Sequence, residues 1–419
     1  MSSISRFLPR IKKLPPSARL RPGYTVVEEQ PGQYLLHSGA YSFKITVPFP
    51  SISLLDFFES LSEDHTILET LETRSPLHIN FFLDVLETLY DSKLLVPTLN
   101  GRHEVNPRYV SSANLFDQFQ QRNPNNGVNT FFSERVWQER LTTVKVGLVG
   151  LGQIGSQLAR LLTIAGVKQI VGIDDGFVDE AFRYTDAYFF DADQGGLRSE
   201  AVRHNLQNVN NETQFASVPF SLEKLKQGFL PSEFLEADLV IVATDQPSTQ
   251  LYKGVNQACL DAGIPWTSYR PGWDGMTIEI GPTVLPKETA CYECYQLRRQ
   301  SNLADPEQDE ALTQALEQKP LPLLSSQITP CISIFCYEIL HLLSGEIQPK
   351  TLGAILKFDM MKAELVRHPL LKVPRCVACR RDIQTFMPTR FWSDIMPETE
   401  EVVMSHEATA VHVQEGLVT

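Results

Sequence analysis

Two Cys-x-x-Cys pairs, Cys291/Cys294 and Cys376/Cys379, constrain this chain more than any other feature. Each pair presents two thiolates from one tight knuckle, and two knuckles complete a tetrahedral site. Cys376 follows Cys294 by 82 residues, so a metal held by all four ties a mid-chain loop to the far end of a domain and closes a long loop. A structural zinc on Cys291, Cys294, Cys376 and Cys379 is the expectation. A redox-active pair is the alternative, and it leaves the other pair without a purpose. Arg298, Arg299, Lys372, Arg375, Arg380 and Arg381 cluster beside the knuckles, where cations offset the net charge of a metal tetrathiolate. Cys259, Cys331 and Cys336 sit in apolar helical surroundings and read as small core residues, a sulfur-carrying Cys331 being the other reading.

Composition sets the outer bounds. At 419 residues, 42% hydrophobic and 21% charged, the chain has room for two or three domains. A formal charge of −13 argues against a nucleic-acid partner. No apolar run approaches the roughly 20 residues that span a bilayer, and the first residues lack the apolar core of a secretory signal. Cysteines without an export signal fit a reducing cytoplasm. Arg6, Arg10, Lys12, Lys13, Arg19 and Arg21 make the first 25 residues basic, which reads as a solvated arm, with a binding patch as the alternative.

Residues 24–27, 34–36 and 41–47 alternate as short strands broken at Pro31, Gly32, Ser38 and Gly39, the pattern of an antiparallel meander. Helical periodicity follows: Leu54, Phe57, Phe58 and Leu61 share a face, 65–71 forms a second helix, and 79–89 a third with Phe82, Val85, Leu86 and Leu89 inward. The unit is winged-helix-like. An exposed third strand beside a helix can accept a peptide by strand addition. Residues 98–140 are polar and broken by Asn-Pro and Asn-Gly pairs, a linker with an amphipathic segment near 131–141.

From residue 144 the pattern turns α/β. Strand 145–149 runs into a turn with Gly150, Gly152 and Gly155; a helix and strand 169–173 follow, ending at Asp174 and Asp175. Core strand 237–243 leads to Thr244, Asp245 and Gln246. This order predicts a doubly wound, Rossmann-like sheet with ligands at the carboxyl ends of its strands. The three glycines admit a tight turn, a phosphate against backbone N–H groups, and close helix packing. They serve equally well in a turn that only packs helix on sheet.

The glycine turn, the double acid, the helix start at Gly195, Gly196, Leu197 and Arg198, and the strand ending in Thr244 and Asp245 together resemble the ThiF fold. Ubiquitin-activating enzymes and the adenylating enzymes of thiamine and molybdopterin sulfur carriers share it. Residues 281–286 before the first cysteine pair extend the resemblance across 144–381. It implies ATP and Mg2+, with Asp174 at the ribose-binding position and Asp245 at the magnesium-binding one. Adenylating members also carry Asn-x-x-Arg after the double acid, a Lys opening the next helix, and an Asn after the Asp. Here residues 181–186 hold Arg183 out of step with no Asn before it, Arg198 stands at the Lys position, and Gln246 at the Asn position. Adenylyl transfer depends on placed cations. The implied site of Gly150, Gly152, Gly155, Asp174, Arg183, Arg198 and Asp245 therefore reads as vestigial, with independent peptide adenylation as the alternative.

Residues 20–24, the meander and the three helices ending at 91–95 resemble the PqqD-like recognition domain of ribosomal peptide maturation. Joined to the ThiF-like half and to the stretch 368–379, the chain resembles the ThiF-like, leader-peptide-binding partners of azoline-forming cyclodehydratases from thiazole/oxazole-modified microcin pathways. That resemblance implies a precursor leader paired along Tyr41, Phe43, Ile45 and Val47, flanked by Phe81, Phe82, Val85 and Leu89, although plain core is the other reading of the helix positions. It also implies a YcaO-type partner that uses ATP to form thiazolines or oxazolines, and a homodimer. The expected domains are 1–97 for leader recognition, 98–143 as linker, 144–386 as the ThiF-like domain with its zinc, and 387–419 as a tail. A nicotinamide dehydrogenase uses the glycine turn and Asp174 but neither the cysteine frame nor the N-terminal module.

Overall fold

The computed structural model describes residues 4–379, apart from 22–23, 39–40, 50–51, 62–64, 93, 98–106, 110–133, 318, 320, 322, 346 and 375. The expected tail, most of the expected linker, and Arg375, Arg380 and Arg381 lie outside the described residues. The chain divides into two compact units, one built mainly from residues 1–137 and the other from 138–398.

In the first unit, β2 (Thr25–Gln30), β3 (Gln33–Ser38) and β4 (Tyr41–Thr46) form an antiparallel meander in that spatial order. A separate pair joins β1 (Ala18–Leu20) to β5 (Leu95–Pro97). Three helices lie between β4 and β5: α2 (Leu54–Ser60), α3 (Ile67–Glu72) and α4 (Ile79–Asp91), counted after the short α1 (Leu8–Ile11). Their starts are written in the sequence. Ser53 accepts from the Asp56 N–H, and Thr66 with Glu69 forms a capping box, satisfying amides that have no partner inside a helix. Helix α4 buries Ile79, Phe82, Leu83, Leu86 and Leu89 at three- and four-residue spacing, and Phe82 stacks on Phe57 with ring centres 4.1 Å apart.

The basic leading segment is not a solvated arm. Ile4, Phe7, Leu14 and Ala18 are buried in the same core as α4. Arg10 reaches Asp84 and Glu87 of α4, each at 2.6 Å. Apolar residues are interleaved with the basic ones, and their burial anchors the segment against the pull of its charges toward solvent.

The second unit centres on an eight-stranded mixed sheet. With β6 (Lys145–Val149), β7 (Gln169–Ile173), β8 (Gln214–Ser217), β9 (Leu239–Val242), β10 (Trp266–Pro271), β11 (Thr277–Ile280), β12 (Ala354–Asp359) and β13 (Glu364–Pro369), the order is β13-β12-β11-β10-β9-β6-β7-β8. The run from β10 to β8 is parallel and the remaining pairs are antiparallel. Helix α5 (Glu134–Thr143) precedes β6 and α6 (Gln153–Ala165) follows it; α7 (Arg198–Val209) follows the long loop after β7, and α9 (Thr249–Ala262) follows β9, with a short α8 (Leu222–Lys226) between. Beyond β11 come α10 (Tyr292–Ser301), α11 (Pro306–Leu316) and α12 (Ser325–Ser344). Helix α12 is long and apolar enough to cross a membrane, but 56% of its most apolar window is buried inside the fold. It is a core helix broken in composition by Pro330, and Cys331 and Cys336 on it are buried, as is Cys259 on α9.

Candidate functional site

The glycine-rich turn joins β6 to α6 at the carboxyl edge of the sheet. Gly150 has φ 90°, and a Cβ there would lie 2.9 Å from the Ala243 carbonyl. At Gly155 a Cβ would fall 1.9 Å from the Gly150 carbonyl, so α6 packs on the turn only because no side chain intervenes. Gly152 differs, because its Cβ would fall 2.0 Å from a carboxylate oxygen of Asp245. Two glycines serve close packing, and the third makes room for a charge.

That charge occupies the turn's own donors. The Gln153 and Ile154 N–H groups each donate to Asp245 at 2.8 Å. The Leu151 N–H donates to Asp174 at 2.7 Å, and the Gly176 N–H to its other oxygen at 2.8 Å. A third carboxylate repeats the pattern at the start of α9, where the Thr249 N–H donates to Glu317 at 2.7 Å. Helix N-termini attract anions because their first amides lack partners. Here Asp245 fills that role on Gln153 and Ile154, and Glu317 on Thr249, while Asp174 takes the Leu151 amide of the turn itself. Burial pushes the Asp245 carboxyl above its usual range, against the pull of the Ile154 and Gln153 amides and of Arg198.

Arg198 is likewise engaged. Its guanidinium lies 3.6 Å from Asp174, donates to the Phe177 carbonyl at 3.0 Å, and sits 4.7 Å over the Phe182 ring. Arg183 lies in the turn Glu180–Tyr184, and its side chain is outside the described set. Gln246 donates to the carbonyls of Glu317 (3.3 Å) and Lys319 (2.7 Å). Behind the turn, Gln153 donates to Asp186 (2.8 Å) and Ser325 (2.9 Å), and Thr329 donates to Asp186. Asp186 is held below the usual carboxylate range: hydrogen bonds from Thr329, Gln153 and Ser325 outweigh its desolvation, which is the largest single effect. A cavity of about 590 Å³ opens in the loop after β7, between Phe182, Phe189, Phe190, Asp179 and Asp191. Glu317, Gln153 and Asp186 escaped the sequence reading because nothing local marks them; Glu317 reaches Thr249 across 68 residues.

The four cysteines converge. Their sulfurs lie within 4.8 Å of one another, a cluster that can hold a metal ion. Cys291 is 3.8 Å from Cys294 and 3.6 Å from Cys376, and Cys294 is 3.5 Å from Cys379. Zinc–sulfur bonds of about 2.3 Å in a tetrahedron require sulfur pairs about 3.8 Å apart, so the donor set fits that ion. Cys294 is held well below the usual thiol range by donors from Cys291, Cys379 and the Val373 N–H. Arg298 donates to the carbonyls of Leu371 (2.7 Å) and Lys372 (3.3 Å), fixing the approach to the second pair.

Tyr292 and Tyr295 leave the first knuckle and flank the buried Arg270, whose guanidinium lies 5.3 and 4.4 Å from their ring centres. Arg270 also pairs with Glu279 at 3.1 Å, and the Tyr295 hydroxyl donates to that carboxylate at 2.9 Å.

A model of the ThiF family matches residues 123–379, well over half of the chain. The chain belongs to the ThiF family. Among curated proteins it is similar to ubiquitin-like modifier-activating enzyme 5 of Xenopus laevis, 28% identical over 167 residues covering 37% of this chain and 41% of that protein. The Dictyostelium discoideum enzyme of the same name is 27% identical over 37% of this chain and 42% of its own length. The chain thus spans about two fifths of the length of these relatives. In fold it is similar to Escherichia coli MccB crystallised with AMPCPP and MccA, with TM-score 0.60 and 17% identity over 86% of this chain and 99% of that one. The microcin C7 biosynthetic enzyme MccB in complex with N-formylated MccA aligns equally well. PaaA aligns with TM-score 0.55 and 15% identity over 69% of this chain and 92% of that one.

In this ThiF-family chain the eight residues expected to hold a peptide do not share one surface. Val47, Phe82, Val85 and Leu89 are buried in the core of the first unit, whereas Phe43, Ile45 and Phe81 are only partly covered. The Tyr41 side chain lies outside the described set. Helical spacing cannot separate a core-facing aromatic from a groove-facing one when both sit on the same apolar stripe. The core reading therefore applies to Phe82, Val85 and Leu89.

Proposed function

We propose that this ThiF-family protein binds the leader of a ribosomally made precursor peptide and presents its core to a modifying partner, a YcaO-type ATP-dependent cyclodehydratase that forms thiazolines or oxazolines. The observation that carries the peptide reading is the outer edge of β4. Val47 donates to Gly32 at 2.7 Å, so in the β3–β4 register Ile45 and Phe43 direct their amides inward to β3. Ser42, Lys44 and Thr46 therefore direct theirs outward, and no strand pairs with that side among the described residues. On this strand Phe43 and Ile45 are only half-covered, as Phe81 is on α4, which leaves apolar surface for alternate side chains of an added strand. Holding the leader raises the effective concentration of the core at the partner.

The crevice supports a non-catalytic body. Its anion-binding amides carry Asp245, Asp174 and Glu317, and Arg198 is spent on Asp174. Zinc on Cys291, Cys294, Cys376 and Cys379 supplies no chemistry in this reading; it fastens the end of the fold to α10. The free thiols fit a cytoplasmic protein.

A second reading is peptide adenylation with ATP and Mg2+. Alignment to 99% of MccB, crystallised with a nucleotide analogue and a peptide, favours it. Fluorescence polarisation with a leader peptide encoded beside this gene tests the first reading, which predicts saturable binding; no binding removes it. Pyrophosphate exchange with ATP and full-length precursor tests the second. Exchange above a no-peptide control establishes adenylation and retires the scaffold reading.

A further inference from the structure

The cavity in the loop after β7 is separate from the glycine turn: among the described residues, neither that turn nor Asp174, Asp245 or Arg198 lines it. At about 590 Å³ it falls within the range of ligand pockets. Val178, Phe182, Phe189 and Phe190 give it apolar walls, and Asp179 and Asp191 bring two carboxylates. No lysine or arginine lines it among the described residues.

The loop is pinned where it forms these walls. The Val178 N–H donates to the Gly196 carbonyl at 2.9 Å, and the Gly195 N–H returns to the Val178 carbonyl at 2.8 Å. Asp193 accepts from the Phe190 N–H and from Asn205, each at 2.7 Å. Phe182 meets Phe189 edge-on, with ring centres 5.2 Å apart. The walls are preformed, so a ligand has little to order on binding. Phe190 is nevertheless 53% exposed, which leaves much of its ring for a ligand to cover.

Aromatic faces beside carboxylates select cations. A ring attracts a cation held within about 6 Å of its centre, most strongly where water is excluded, and a carboxylate adds a charge-assisted hydrogen bond. The loop already makes one such contact, since the Arg198 guanidinium sits 4.7 Å over Phe182. Because Arg198 does not line the cavity, it takes the side of that ring turned away from it. Asp179 has capacity to spare. One of its oxygens accepts from the Ala181 N–H at 2.9 Å, and the other has no partner among the described residues.

A guanidinium suits this arrangement better than an ammonium. It is planar and weakly hydrated, stacks on rings, and presents parallel donors to a carboxylate. Its aliphatic stem lies against Val178 and the phenyl walls. One side chain does not fill the cavity, and the remaining space takes the backbone on either side of it, which favours a peptide over a small amine.

We propose that the cavity bounded by Phe182, Phe189, Phe190 and Asp179 binds an arginine side chain of a peptide. The inference stands apart from the leader reading, because its residues all lie in the second unit and β4 lies in the first.

Calorimetric titration of the full chain with a capped Ala-Ala-Arg-Ala-Ala peptide tests it. The comparison ligands are the same peptide with citrulline in place of arginine, and agmatine as a free small guanidine. Citrulline keeps the shape without the charge and is expected to bind roughly tenfold more weakly, the loss of a charge-assisted hydrogen bond. Asp179→Asn removes the carboxylate yet keeps an acceptor for the Ala181 amide, because Asn caps as well as Asp. It is expected to weaken the arginine peptide roughly fivefold with the melting temperature held. Phe190→Leu keeps apolar volume without the ring and is expected to weaken binding severalfold. Glu233→Gln, at an exposed acid outside the lining, is expected to change nothing, which separates the site from general attraction to a chain of net charge −13. Any of five results overturns the proposal: no saturable binding of the arginine peptide, equal affinity for the citrulline peptide, unchanged affinity in folded Asp179→Asn, an equal loss in Glu233→Gln, or agmatine matching the peptide, which assigns the cavity to a free guanidine instead.

Discussion

Asp245→Ala separates a carboxylate that plugs the turn from one that positions a metal–nucleotide complex. The substitution frees the Gln153 and Ile154 amides, each 2.8 Å from the carboxylate. Losing a helix N-terminal acceptor costs about 0.5–2 kcal/mol, and relief of the desolvation that raises Asp245 offsets part of it. A net loss of about 1 kcal/mol follows, a fall of roughly 2–4 °C in Tm for a unit of this size. The freed amides should bind pyrophosphate roughly tenfold more tightly than wild type, one charge-assisted hydrogen bond converted to affinity. Gly152→Ala supplies the internal control, because its Cβ would fall 2.0 Å from Asp245 Oδ2. Alone it should cost about 1–3 kcal/mol through overpacking. In the Asp245→Ala background most of that cost should vanish, a coupling of about 1–2 kcal/mol in a double-mutant cycle. Calorimetric titration of pyrophosphate and thermal melts of the four proteins give both quantities. Additive melts, or a peptide-dependent ATP turnover that Asp245→Ala abolishes, refute the plugged-turn account.

Three further outcomes are expected. Chelation, or Cys376→Ser, should remove bound zinc and raise hydrogen exchange in α10 and around Arg270 before it changes α2–α4, because the cluster lies wholly in the second unit; simultaneous loss in both units contradicts this. Lys44→Pro should abolish leader binding in polarisation assays with the fold retained, since its amide points outward, whereas Ile45→Pro breaks the β3–β4 ladder and unfolds the unit; unchanged affinity for a folded Lys44→Pro protein places the peptide elsewhere. Burial pushes the His341 imidazole down to about 4, below the roughly 6.5 of the unfolded chain. The unfolded state therefore binds the proton first, and about 3 kcal/mol of stability present above pH ~6.5 is lost as pH falls toward ~4. His341→Leu should flatten that limb in denaturant titrations, and an unaltered acid limb excludes this imidazole as its cause.

Much of this protein follows from sequence alone, where the determinant is local or strictly spaced. Two cysteine knuckles announce a shared site because each brings two ligands by itself, and Gly150 and Gly155 mark a strand-to-helix turn that tolerates no side chain. The alternation of β2–β4 and the caps Ser53 and Thr66 are equally local. Only the tertiary structure decided what fills the turn, because Asp174 and Asp245 reach it from the ends of other strands and their targets are backbone amides that carry no residue code. It also decided which strand residues face outward, since the phase of a ladder depends on the partner's register, and it folded the basic N-terminal segment onto α4. Contacts made across the fold between groups without a motif are set by packing geometry, which a linear pattern of residue types does not contain.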